Sequence, residues 1–264
     1  IDRNMKQRFP FLISIPHGGI IIPEEVRGRI ALTPPDLLYY SDPGTRSLYD
    51  FQGKVAAALE CDISRMVLDL NRPPYTLPPR HRDGVVKHYT TDGKPVYNPD
   101  QIPEITRIHK MMMRYYFPYH ARIDHLLMKN SVKIAFDCHS MLPVGPPGTK
   151  DAGRPRPLIC IGNNGDREGE PRKGSLATCS GPWVRMLADA FRDEFSLHDG
   201  VAINLPYSGG FITNAHYWHT GVPFVQLEVN RSLYEQQGDE GKEIGRLRDN
   251  IWSALIHFWA ETSE

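Results

Sequence analysis

The chain has no net charge, no long apolar run, no cysteine pair at metal-knuckle spacing and no internal repeat, and each absence excludes something. Thirty-one Lys and Arg against 31 Asp and Glu leave a formal net charge of +0, so no global field draws the protein to nucleic acid or to an anionic membrane. No stretch approaches the roughly 18 apolar residues that a membrane span needs. The first residues, Ile1-Asp-Arg-Asn-Met-Lys-Gln-Arg8, lack the charged start, apolar stretch and small-residue cleavage site of a signal peptide, which makes cytoplasm the default expectation. Cys61, Cys138, Cys160 and Cys179 form no Cys-x-x-Cys pair, and three of them lie in or beside apolar runs. They read as reduced core residues. The expected partner is a small-molecule substrate, with no nucleic acid and no membrane; composition leaves the oligomeric state open.

What is present is enough for a core: 264 residues with a hydrophobic fraction of 40%, a length at which a single domain over 1–264 is the expectation. Strand-like runs recur at Phe11–Ile15, Arg65–Leu70, Val132–Cys138, Pro157–Ile161, Val201–Leu205 and Pro223–Val229, several of them near-continuously apolar, as strands covered on both faces must be. Helical patterns lie between them at Thr45–Glu60, Ile102–Lys129, Trp183–Phe195 and Glu240–Trp259. The alternation predicts an α/β fold, a central mixed and mostly parallel sheet with helices on both faces. Met111, Met112, Tyr115, Ile123 and Leu127 of the second helix are expected to pack inward. The Pro- and Gly-rich stretch Pro73–Asp100, the segment Met141–Asp151 and the polar stretch Gly162–Gly181 resist this scheme and read as loops.

Two histidines sit where apolar strands run out: His17 in Phe11-Leu-Ile-Ser-Ile-Pro-His-Gly-Gly19 and His139 in Val132-Lys-Ile-Ala-Phe-Asp-Cys-His-Ser140. A third strand, Val222-Pro-Phe-Val-Gln-Leu-Glu-Val-Asn-Arg231, carries Glu228 near its end. In open α/β sheets ligands bind at the carboxyl ends of the strands. Neutral imidazole suits zinc, and a catalytic zinc takes three protein ligands; Cys138 should face away from His139 by strand alternation. A short His-x-x-Glu site is excluded because position 20 is Ile20. The third ligand then comes from Asp42, favoured, or from Glu24. Asp42 could equally cap a helix, and Glu24 could begin a short helix after Pro23.

Further polar groups punctuate the chain. Ser64-Arg-Met-Val-Leu-Asp-Leu-Asn-Arg-Pro73 carries Arg65, Asn71 and Arg72. Guanidinium forks fit carboxylates, and one beside a metal can stabilise the oxyanion of a tetrahedral intermediate. Asn204-Leu-Pro-Tyr-Ser-Gly-Gly210 offers an amide, the phenol of Tyr207 and the pair Gly209 and Gly210 as a substrate cradle. Glu228 is the proton-transfer candidate; it could also pair with an arginine such as Arg72. Asn230 and Arg231 follow at the strand exit, where a substrate carboxylate could bind.

Taken together, Ile15-Pro-His-Gly-Gly19, Ser41-Asp42, Ser64-Arg65 with Asp69-Leu-Asn-Arg72, Asp137-Cys-His-Ser140, Asn204-Leu-Pro-Tyr-Ser-Gly-Gly210 and Gln226-Leu-Glu-Val-Asn-Arg-Ser-Leu-Tyr234 resemble the N-formylglutamate amidohydrolase family. The resemblance covers nearly the whole chain. It implies a fold similar to zinc carboxypeptidases and aspartoacylases, one zinc ion, and hydrolysis of N-formyl-L-glutamate to formate and glutamate in histidine breakdown. It makes His17 and His139 metal ligands, Glu228 the general base and acid, and Arg65, Asn71 and Arg72 the groups that polarise the scissile carbonyl and hold substrate carboxylate. Arg72, Arg231, Asn204 and Tyr207 are expected to hold the glutamate carboxylates. Two other readings are a carboxypeptidase-like hydrolase of peptides or cell-wall fragments and a catalytically silent protein that binds acidic amino acids.

Overall fold

The computed structural model describes residues 8–129, 131–196, 199–235 and 240–262. Residues 1–7, the bulk of the stretch read for targeting signals, lie outside them. Six strands form one sheet in the order β2-β1-β3-β6-β4-β5: β1 (Phe9–Ile15), β2 (Val55–Glu60), β3 (Ile134–Met141), β4 (Ile159–Gly162), β5 (Val201–Ile203) and β6 (Phe224–Asn230). All neighbours are parallel except β4 and β6. This is the mixed, mostly parallel sheet the alternation predicts.

Helices cover both faces. On one lie α2 (Thr45–Leu48), α5 (Gly181–Phe195) and α7 (Glu240–Glu261); on the other lie α1 (Pro34–Tyr40), α3 (Ile105–Met111), α4 (Phe117–Leu127) and α6 (Phe211–Thr220). A π-helical turn, Met112–Tyr116, joins α3 to α4. Met111, Met112, Ile123 and Leu127 are buried there, with Tyr115 packed against them. Local chemistry starts two of the helices: Thr33 and Asp36 form a capping box at α1, and Ser180 accepts from the Trp183 amide at α5, each satisfying donors that a helix start leaves open.

Strand alternation separates two kinds of face. Phe11, Ile13, Ile15, Ile134, Phe136, Cys138, Val225, Leu227 and Val229 point into one apolar core, where Phe9, Phe11, Phe51 and Trp252 stack among themselves. The opposite face of the three central strands begins apolar, with Leu12, Ala135 and Phe224. The residues that follow two by two turn polar: Ser14, then Asp137 and His139, then Gln226, Glu228 and Asn230, all buried. Because β1, β3 and β6 are parallel neighbours, these polar ends collect at one sheet edge, with Ser14 beside Asp137 and His139 beside Glu228 in register. All four cysteines are free and buried. No helix among the described residues is long and apolar enough to cross a membrane.

Two expected elements are corrected. The helix over Thr45–Glu60 stops at Leu48, and Val55–Glu60 is an edge strand. Gly53, at φ +81°, turns the chain, and the open edge of β1 takes the Ala- and Leu-containing segment as a partner, overriding its helical pattern. The strand over Arg65–Leu70 is instead a series of turns, in which the Val67 and Leu68 amides both donate to Ser64 O. Its apolar residues are buried, and the turns let Arg65, Asp69 and Asn71 reach a common point. Helices α1 and α6 lie outside the predicted elements.

Candidate metal and active site

His17 follows β1 by two residues, and Gly19, two residues further on, has no room for a side chain: a Cβ there would lie 2.2 Å from the Asp62 backbone. That close approach fixes the His17 loop against the segment entering the Arg65 turns. His139 is part of β3. Asp42 lies in the turn between α1 and α2, where its amide donates to His17 O at 3.0 Å. Its side chain caps nothing, since α2 starts from Gly44 without a side-chain cap.

The three side chains converge. His139 Nδ1 lies 2.9 Å from Asp42 Oδ2, and His17 Nδ1 lies 3.6 Å from the same oxygen. One ligand atom from each residue falls within 4.8 Å of the others, a group that could hold a metal ion. The remaining ring nitrogens face carboxylates: His17 Nε2 meets Asp69 Oδ1 at 2.8 Å, and His139 Nε2 meets Asp137 Oδ2 at 2.9 Å. A hydrogen on each Nε2 leaves each Nδ1 lone pair aimed at the common centre, the arrangement by which outer carboxylates orient metal-bound imidazoles. His17 Nδ1 is buried and has no hydrogen-bond partner among the described residues. A cation is the group that fits it.

The supporting carboxylates are themselves held. Lys87 Nζ lies 2.9 Å and Arg65 Nη2 3.3 Å from Asp69 Oδ2, while Ser14 Oγ and Asn71 Nδ2 donate to Asp137. Burial would raise the Asp69 carboxyl, but Lys87, His17 and Arg65 outweigh it and hold the group well below the carboxylate range. Burial opposes Asp42 in the same way and loses to the two histidines and Arg65. For His139, burial disfavours the charged ring; Asp137 and Asp42 reverse this and push it well above its ordinary value.

Glu228 stands beside His139 across the β3–β6 register and accepts from Gln226 Nε2 at 2.7 Å. Burial raises its carboxyl to about 7, with Asp42 adding to the rise and His139 opposing it. It does not pair with Arg72, which is bound to Asp83 instead.

These groups share a cavity of about 380 Å³ lined by His17, Asp42, His139, Arg65, Asn71, Arg72, Tyr207, Gly209, Gly210, Glu228 and Arg231, together with the Pro73–Asp100 and Met141–Asp151 loops. Gly210 is forced by proximity, since a Cβ would fall 2.3 Å from the Asn71 side chain. Arg65 bridges Asp42 and Asp69, each at 3.3 Å. Two expectations change. Asn204 is not among the lining residues; its side chain bonds to Asn163 and to the Asp166 carbonyl, because its backbone at φ +55° turns it toward the Gly162–Gly181 loop. Arg231 reaches the cavity, yet its guanidinium donates to the carbonyls of Tyr39 and Ser41 and to Ser140 Oγ. It holds the Asp42 turn in place. Glu24 lies on an exposed 3₁₀ turn, Glu24–Val26, and pairs with Arg114.

Sequence reasoning gave no role to Asp69, Asp137, Lys87, Gln226 and Arg156. Asp137 had a signal, since it shares a strand face with His139 two residues on. Gln226 had the same signal, two residues before Glu228 on one face of β6; Asp69, Lys87 and Arg156 meet the site from loops and left no local trace.

The family model for N-formylglutamate amidohydrolases matches residues 9–235. The chain belongs to this family. Among relatives of the N-formylglutamate amidohydrolases, an N-formylglutamate deformylase of Pseudomonas putida is 28% identical over 144 residues, which make up 51% of this chain and 52% of that protein. The match thus spans about half of that relative. The fold is similar to that of an N-formylglutamate amidohydrolase from Ralstonia eutropha JMP134, with a TM-score of 0.73 at 20% identity over 98% of this chain and 96% of that one. It is also similar to a gene product from Agrobacterium tumefaciens, with a TM-score of 0.64 at 21% identity over 96% and 92% of the two chains.

Proposed function

We propose that this chain is a zinc-dependent amidohydrolase that cleaves N-formyl-L-glutamate to formate and L-glutamate. The observation that carries the reading is the convergence of His17 Nδ1, His139 Nδ1 and Asp42 Oδ2 in the same cavity as a buried glutamate, in a member of this family. The orphaned Nδ1 of His17 and the carboxylates behind both rings fit a divalent cation. Two imidazoles and one carboxylate are a donor set that suits zinc. Bound there, zinc supplies Lewis acidity toward water and the acyl oxygen.

The chain's own residues do the rest. Glu228 takes the proton from the attacking water and passes it to the departing amide nitrogen. Its place beside His139 in the buried wall of the cavity suits it to both transfers. Arg65, anchored by Asp42 and Asp69, offers its charge to the developing oxyanion. Arg72 holds the substrate α-carboxylate beside Asn71, whose amide braces Asp137, and Tyr207, Gly209 and Gly210 form the wall against the substrate chain. The cavity is lined by five cations, Arg65, Arg72, Lys87, Arg156 and Arg231, against three carboxylates, Asp42, Asp83 and Glu228. Asp69 and Asp151 stand directly behind these cations, so the support for an acidic small molecule is the guanidinium forks at the wall, which fit carboxylates; the reading includes no nucleic-acid or membrane partner. A cytoplasmic place in histidine breakdown belongs to the same reading.

The experiment is a hydrolysis screen of the zinc-loaded protein against formyl, acetyl and peptidyl derivatives of glutamate and aspartate. Fastest release of formate from N-formyl-L-glutamate is expected. No turnover of any of them at full zinc occupancy would overturn the proposal.

A further inference from the structure

Resting on that reading of the site, we infer that Arg156 is the residue that selects the substrate's side-chain carboxylate. A substrate with two carboxylates needs two anchoring cations, and the cations lining the cavity differ in what they have left to give. Arg231 donates to Tyr39, Ser41 and Ser140. Lys87 is held by Asp69 and Asp83, and Arg65 by Asp42 and Asp69. Arg72 is tied to Asp83 and the Asn71 carbonyl, beside the wall that carries Asn71.

Arg156 stands on a different wall, in the segment entering β4. Its Nε and Nη2 bind the two oxygens of Asp151 at 2.7 and 3.2 Å, while its guanidinium carbon lies 5.1 Å over the Tyr207 ring. Nη1 makes no hydrogen bond to a described residue. The side chain is 3% exposed and lines the cavity. A guanidinium clamped on one edge and stacked on one face has a single direction in which to donate, so little freedom remains to be lost when an anion binds. Its backbone is fixed as well: the Arg156 amide donates to Pro143 O at 2.9 Å, and Asn230 Nδ2 donates to the carbonyls of Arg156 and Pro157 at 3.3 and 2.9 Å. Asn230 lies two residues beyond Glu228 on the same strand face. The proton-transfer carboxylate and the selecting arginine are therefore braced by one strand, and their spacing is set by the sheet. Asp151 and Tyr207 act through Arg156 as positioning residues.

The test compares L-glutamate with L-glutamine, which differ at the side-chain carboxylate alone, by titration calorimetry on the zinc-loaded protein. Catalytic selectivity is measured in parallel as kcat/KM for N-formyl-L-glutamate over N-formyl-L-glutamine. Wild type should prefer the acid in both. Arg156→Met should cut the preference by about 10- to 100-fold, the worth of a charged hydrogen bond. Arg156→Lys should restore part of it, and Asp151→Asn, which leaves the guanidinium but frees it, should lower it several-fold. Equal weakening toward acid and amide in Arg156→Met would overturn the inference, as would a wild type without preference. If Arg156→Met does not fold, an unchanged preference in Asp151→Asn overturns it. A wild type that binds L-glutamate selectively yet releases no formate would sink the proposed reaction and leave this assignment standing.

Discussion

His17 gives its Nε2 to Asp69 at 2.8 Å, and this contact fixes which of its nitrogens faces the site. The pairing crosses 52 residues of chain and sets the ring so that Nδ1 faces Asp42. Asp69→Asn should therefore weaken zinc binding by about 10- to 100-fold without removing a direct ligand. Competition with a chelating dye would measure it, and Asp137→Asn should behave alike through His139. Unchanged affinity in both would show that the carboxylates do not orient the rings.

The choice between Asp42 and Glu24 has a simple readout. Asp42→Ala should bring zinc content per chain close to zero after dialysis, and Glu24→Ala should leave it at the wild-type level, because Glu24 is tied to Arg114 on the surface. Elemental analysis decides, and the reverse pattern would exclude the site as drawn.

Glu228→Gln keeps the size and the Gln226 contact while removing the proton acceptor. Formate release should fall by about 10²- to 10⁴-fold with zinc content unchanged. A variant that loses metal in proportion to activity would instead place Glu228 in the metal's coordination.

A second buried histidine pair, His120 and His216, should contribute a destabilisation in acid. His120 Nε2 binds the Leu70 carbonyl at 3.1 Å and its Nδ1 meets His216 Nε2 at 2.9 Å. Burial and neighbouring His216 push His120 down to about 3. A histidine in the unfolded chain titrates near 6.5, so between those values the unfolded state binds a proton that the folded state refuses. Stability from this group is complete above pH ~6.5 and falls as pH drops toward 3. Between pH 7.5 and pH 5, wild type should lose about 2 kcal/mol relative to His120→Gln in urea unfolding of the metal-free protein. Equal pH dependence in the two proteins would refute the assignment.

Much of this molecule was legible in the chain. Apolar runs gave five of the six strands to within a few residues, because a strand buried on both faces must be written in apolar residues whatever surrounds it. His17, His139 and Glu228 stood out because they interrupt or end such runs. The helix Ile102–Lys129 was legible from its period. Val55–Glu60 was not, since Ala, Val and Leu serve helix and strand alike, and only the vacant edge of β1 chose between them. The Arg65–Leu70 run misled for the opposite reason: an apolar run specifies burial, not backbone conformation.

The fold class was written in the alternation of strand and helix patterns along the whole chain, and the histidine pair and the strand-end glutamate were each written within a few consecutive residues. Tertiary structure alone decided that Asp42 and not Glu24 meets the histidines, that Asp69 and Asp137 stand behind their rings, that Asn204 turns away, and that Arg156 keeps a free edge toward the cavity. Apart from Asp137 behind His139 and Asp151 behind Arg156, which are near in the chain, those relations join residues tens of positions apart, and the site forms only once parallel pairing of β1, β3 and β6 has brought three polar strand ends to one edge.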